Sequence, residues 1–246
     1  PFKSREELKN AIKNYNSKEV IEKYGPIEYW DVTDVTDMSY LFQHETKEEL
    51  KAAIKKNNSE EILEKYKYDI HWIDRENEFE PKSLNEKICY LVEKLIIYNF
   101  NENISRWDTS NVTNMEGMFQ YIKNFNQPLE WDVRNVTNTN HMFYYATSFN
   151  QPLEWDISKV TNTNHMFHYA TSFNQPLLWD ASSITDMSFM FSYATSFNQP
   201  LLWDVSNVTD MRSMFSHATK FNQLLKWNVE NVTNMSFMFS YETLFN

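Results

Sequence analysis

Apolar residues between Phe173 and Ser196 fall into two rhythms. Leu177, Trp179 and Ala181 alternate with polar or outward positions, the period of an extended strand with one buried face. Ile184, Met187, Met190, Phe191 and Ala194 then step by three and four, the period of a helix. A segment rich in Asn, Ser and Asp separates the two, and such residues suit turns. Pro176 precedes the alternating segment, as Pro128, Pro152 and Pro200 do elsewhere. A proline cannot donate a ladder hydrogen bond, so a strand is expected to begin just after it. The pattern predicts a short strand, a turn, and one or two turns of α- or 3-10 helix.

The same pattern recurs. Units open at Phe125, Phe149, Phe173, Phe197 and Phe221, and Phe245-Asn246 opens another; residues 100–124 form an aberrant unit with one extra residue before Trp107. Trp107, Trp131, Trp155, Trp179, Trp203 and Trp227 therefore stand 24 residues apart and are expected to form the structural core. A fixed period of this size marks a solenoid, because one unit is too small to bury its own apolar face and must stack on its neighbours. The expected fold is an α/β repeat solenoid, with strands stacked in parallel at about 4.8 Å per rung. Residues 100–246 would hold about six 24-residue repeats.

Residues 1–99 read differently. Ser4 to Tyr24 resembles Thr46 to Tyr66 at an offset of 42 residues. Ser4 with Glu7, and Thr46 with Glu49, form capping boxes that open helices; second helices are expected at Lys18–Tyr24 and Glu60–Tyr66, and a last one from Ser83 to about Tyr98. Between them, Tyr29 to Phe42 repeats the second half of the 24-residue unit, with Trp72 at the place of Trp30. This region is expected to be a helix-rich N-terminal cap with two degenerate 42-residue units.

Aligning the units places like residues in columns. Asn126, Asn150, Asn174, Asn198 and Asn222 form an expected amide ladder. Asp108, Asp132, Asp156, Asp180 and Asp204 suit turn capping better than calcium, which needs several carboxylates and glycines in one short loop. His141 and His165 share a column with Phe189 and Phe237, and structural or surface histidine fits better than a metal pair. The sequons at Asn111, Asn135, Asn207 and Asn231 recur because the repeat recurs. Tyr121, Tyr145, Tyr169, Tyr193, His217 and Tyr241 form the column best suited to partner binding: a tyrosine at the edge of the buried face offers a rigid ring and a solvent-reaching hydroxyl.

Bulk properties narrow the function. A net charge of −11 speaks against nucleic acid and against anionic lipid. The only glycines are Gly25 and Gly117, which excludes phosphate-binding glycine loops. Cys89 is the single cysteine, so neither a disulfide framework nor a CxxC metal site is available. No stretch is long and apolar enough to span a bilayer. No cofactor and no catalytic residue are expected.

The phrases Phe-Asn-Gln-Pro-Leu, Trp-Asp-Val-Ser-Asn-Val-Thr-Asp-Met and Met-Phe-x-x-Ala-Thr-Ser-Phe-Asn resemble the BspA-like surface-protein repeats over most of the chain. That resemblance implies leucine-rich-repeat-like units and a non-enzymatic scaffold that binds a protein partner at a cell or virion surface. A structural or cement component of a viral particle or other assembly is the alternative. The richness in Asn, Lys, Ile, Phe and Tyr points to an AT-rich genome. An apolar, unpaired C-terminal end would call for further repeats or for cover by another subunit, including self-association.

Overall fold

A computed structural model of the protein describes residues 1–42 and 100–241. The expected helices at Glu60–Tyr66 and from Ser83, the second capping box at Thr46, the placement of Trp72, and Cys89 all lie outside those residues.

The chain opens with α1 (Arg5–Lys13) and α2 (Lys18–Tyr24), followed by a 3-10 turn at Ile27–Tyr29. The Ser4 hydroxyl caps α1 by accepting from the Glu7 N–H at 3.2 Å. The Glu7 carboxylate closes the box one residue early, accepting from the Lys3 N–H at 2.9 Å. Ser17 caps α2 in the same way, through the Val20 N–H. Leu8, Ala11 and Ile12 of α1 are buried, and Phe2 stacks on Tyr24 and packs at a tilt against Trp30.

Beyond Trp30 the expected α/β solenoid of leucine-rich-repeat type does not form. Among the described residues no strand is present, and every helix lies before Trp30. The repeat is built from turns, joined by a single parallel bridge per rung: Asp37, Asn114, Asn138, Asn162, Asp186, Asp210 and Asn234 are bridged in succession.

The helical rhythm is produced by consecutive turns. In one rung the N–H groups of Met142, Tyr144 and Ala146 donate to the carbonyls of Thr139, His141 and Phe143, each three residues back. The intervening N–H groups of His141, Phe143 and Tyr145 leave the rung and donate to Asn164, Met166 and His168 of the next one. An α-helix would spend all of these donors within its own turn. Three-residue turns still bury residues at steps of three and four, so Met142, Phe143, Ala146 and Phe149 face the core as the pattern requires.

The strand rhythm is equally real without a strand. Leu177, Trp179 and Ala181 are buried, whereas Leu178 is 89% exposed. Side chains, not a backbone ladder, tie these extended segments together. The Trp179 indole N–H donates to the Leu153 carbonyl of the preceding rung at 3.0 Å, and Trp131, Trp155, Trp203 and Trp227 do the same one rung apart. Asparagine forms the expected ladder: the Asn150, Asn174, Asn198 and Asn222 N–H groups donate to the side-chain oxygen of the previous asparagine at 2.8–2.9 Å. Gln175, Gln199 and Gln223 add donors to the same rungs. The Asp column caps turns, as Asp180 does by accepting from the Ser182 N–H at 3.0 Å.

Spacing between equivalent rings explains the difference. Phenylalanines 149, 173 and 197 stack at 6.0 Å, and Trp179 and Trp203 at 6.1 Å. Backbone ladders need about 4.8 Å between strands. On this side the rungs stand too far apart, and longer side-chain donors close the gap.

The first rung belongs to the N-terminal segment. Val32, Val35, Met38, Leu41 and Phe42 are buried, Asp37 bridges Asn114, and the Trp107 indole donates to the Ile27 carbonyl. Pro1–Phe42 and the chain from Phe100 form one compact unit.

Trp179→Ala should cost about 3–5 kcal/mol, the range for truncating a buried aromatic, and spread its damage to adjoining rungs; urea denaturation with a wild-type midpoint would contradict this packing. Gly117 has φ of 56°, and a Cβ there would lie 2.3 Å from the Tyr40 ring. Gly117→Ala should therefore destabilise the first rung junction by about 2 kcal/mol or more, read as a fall in the thermal midpoint.

Candidate functional site

Turns whose third residue has positive φ ordinarily place glycine or asparagine there. This chain places residues there twice per rung, and all but Gly117 and Ser213 are aromatic or histidine. Tyr121, Tyr145, Tyr169, Tyr193, His217 and Tyr241 all have φ between 56° and 64°. A second left-handed column runs through Tyr40, His141, His165, Phe189, Ser213 and Phe237. A non-glycine residue in this region costs on the order of 1 kcal/mol, so the rest of the rung must hold it. The interleaved turn and inter-rung bonds do so.

Left-handed geometry turns these side chains outward along one edge of the stack. Tyr145–Tyr169, Tyr169–Tyr193, Tyr193–His217 and His217–Tyr241 stack with centroids 4.1–4.2 Å apart. Tyr121 is looser, tilted against Tyr145 at 5.4 Å. Tyr121, Tyr145, Tyr169, Tyr193 and His217 are half-buried and Tyr241 is exposed, whereas Trp107, Trp131, Trp155, Trp179 and Trp203 are buried and Trp227 is half-buried. Spacing between equivalent rings thus widens from about 4.1 Å at the tyrosines to 5.4–5.7 Å in the column of Phe143, Phe167, Phe191 and Phe215, and to 6.0 Å or more at Phe149, Phe173 and Phe197 and at the tryptophans. Successive rungs fan open from the tyrosine edge, which is the inner side of the fan.

Beside the tyrosines lies an aromatic and imidazole cluster. His141 and His165 stack at 4.6 Å with an interplanar angle of 7°, and His165 stacks on Phe189 at 4.5 Å. Tyr144 stacks on His168 at 5.0 Å, filling the space between the two left-handed columns. Periodicity in the sequence singled out the tyrosine column but not this enlargement. The available signal was Gly117, which occupies the column of His141 and reports a positive φ there.

Imidazoles lying parallel direct their lone pairs side by side, not toward one point. Among the described residues no group of three His, Cys, Asp or Glu side chains could hold a metal ion. His141 Nδ1, His168 Nδ1 and Asn140 Oδ1 are buried without a hydrogen-bond partner. Burial pushes all three histidines down, His165 to about 4 and His168 to about 3. Neighbouring imidazoles reinforce the effect at His165 and His168; Glu116 opposes it at His141, and Asp186 opposes it at His165, where Arg212 adds to it.

At the far end of the stack a cavity of about 620 Å³ is lined by Trp227, Val229, Met235, Met238 and Phe239. In earlier rungs the equivalent residues are covered by the following rung. No described helix is long and apolar enough to cross a membrane.

The family model described as "Mycoplasma protein of unknown function, DUF285" matches residues 6–67, 93–178 and 177–246, and the chain belongs to that family. Three matches in one chain make it a repeat protein. No curated protein and no solved structure matches the chain.

Because these histidines bind protons less readily folded than unfolded, stability is full above about pH 6.5 and falls as pH drops toward their folded values. Between pH 6.5 and 5, His168 alone should cost on the order of 2 kcal/mol, while most carboxylates are still ionised. Thermal midpoints measured from pH 7 to 5 should fall in the wild type, and the fall should be clearly smaller in a His165→Phe/His168→Tyr variant.

Proposed function

We propose that this repeat protein is a non-enzymatic scaffold that binds a protein partner along its tyrosine edge at a cell or virion surface. One observation supports this above the others: five consecutive rings, Tyr145 through Tyr241, stack along the inner side of the fan while remaining accessible. Rigid rings lose little freedom on binding, and tyrosine is enriched in protein interfaces for that reason.

Net charge of −11 and the uniform repetition of the rungs favour this reading over nucleic-acid binding or catalysis. The resemblance to BspA-like surface repeats, together with a family description that names Mycoplasma, favours a cell surface over a viral particle.

Tyr145→Ser/Tyr169→Ser/Tyr193→Ser should keep the fold with a modest loss of stability, because the buried Phe and Trp columns are untouched. Immobilised wild type and triple variant are to be compared for retention of proteins from the surface fraction of the source cell. A protein held by the wild type and lost by a folded variant supports the tyrosine edge; equal retention by both moves the binding face elsewhere.

A further inference from the structure

The outer side of the fan carries its own pattern. Along the extended segments one outward column reads Glu130, Glu154, Leu178, Leu202, Lys226. Leu178 and Leu202 are 89% and 86% exposed, and Leu224 in the adjoining column is 75% exposed. Pro176 and Pro200 are exposed beside the two leucines. Glu154 and Lys226 are exposed too, and neither has an ion-pair partner among the described residues. Two leucines thus stand in the middle of four rungs, with a free anion one rung before them and a free cation one rung after.

We infer that this face docks on a second copy of the same chain, with the two stacks antiparallel, so that Leu178 meets Leu202 and Glu154 meets Lys226 across the interface. The column is self-complementary under one operation. A two-fold axis lying in the interface, along the extended segments and midway between the Leu178 and Leu202 rungs, reverses rung order and preserves chain direction. It pairs Leu178 with Leu202, Glu154 with Lys226, Pro176 with Pro200 and Pro152 with Leu224, each pair formed twice. This is the isologous arrangement of a two-fold dimer. Rotation about the stack axis would instead set Glu154 against Glu154, so charge selects the antiparallel pairing.

One contact opposes it. Asp180 meets Asp204 across the axis, although both carboxylates are turned back onto the Ser182 and Ser206 N–H groups. The wide spacing of the rungs on this side makes the face convex, so contact is confined to a few rungs. A small apolar centre with two ion pairs suits a weak, reversible dimer. This surface is distinct from the tyrosine edge and does not depend on its role.

Sedimentation equilibrium of the purified chain from about 10 μM to 1 mM reads the association. The expected result is a weight-average mass that rises from monomer toward dimer, and a monomer throughout for Leu178→Asp. Glu154→Lys and Lys226→Glu should each weaken association at least tenfold, and the double exchange should return it to within about threefold of wild type. All of these positions are exposed, so unchanged circular dichroism and thermal midpoints accompany the expected outcome. A wild type that stays monomeric to 1 mM overturns the inference. So does association that survives Leu178→Asp, or a double exchange that fails to restore what the single exchanges lost.

Discussion

In the turn run of each rung, alternate N–H groups have different destinations. One closes a turn within the rung, and the next crosses to a carbonyl of the following rung, as the Tyr144 and Tyr145 donors do. That division of donors is the constraint on which the rest depends. A helix would satisfy the same groups internally and leave neighbouring rungs joined by packing alone. A strand would send donors sideways along a continuous segment. The alternation does neither, and it requires a left-handed residue twice per rung. Each inter-rung hydrogen bond contributes about 1 kcal/mol, and four such bonds from residues 115, 117, 119 and 121 recur at the next interface.

The two edges of the stack are consequently held by different chemistry. Near the tyrosines, main-chain groups reach each other directly and the rings close to about 4.1 Å. Near the tryptophans the rungs diverge, and indole, asparagine and glutamine side chains supply the reach that the main chain lacks. The fixed identity of those side chains from unit to unit therefore has a geometric cause. A leucine at Asn174 would leave the Asn198 N–H without the side-chain oxygen that accepts it at 2.9 Å.

Much of this was legible in the sequence, though not the element types. Spacing gave the 24-residue register, the buried alternation of Leu177, Trp179 and Ala181, the asparagine ladder and the turn-capping aspartates. It misassigned the elements because periodicity reports which side chains are buried, not where main-chain donors go. Steps of three and four fit a run of three-residue turns as well as a helix, and alternation fits an extended segment whether or not a neighbour is close enough to pair. The tyrosine column was visible as a column, but its left-handed backbone was not, since tyrosine rarely occupies that region. His168 stood out only as a histidine near His141 and His165, and Tyr144 escaped notice, because their column changes to serine at Ser192, Ser216 and Ser240.

Bonds between equivalent positions have a consequence for how such a gene can change. Main-chain donors reach the same carbonyl positions at successive interfaces, and the asparagines repeat likewise, so excision of residues 149–172 would bring Phe173 and Asn174 onto Phe125 and Asn126 with those bonds preserved. The junction at Phe42 and Phe100 shows the reverse tolerance: 57 intervening residues, 43–99, leave Asp37 bridged to Asn114 and the two rings 4.4 Å apart. Gain or loss of whole 24-residue units can therefore lengthen or shorten the array in register, and because each unit adds its own interface to the stack, the reach of the molecule and its stability change together.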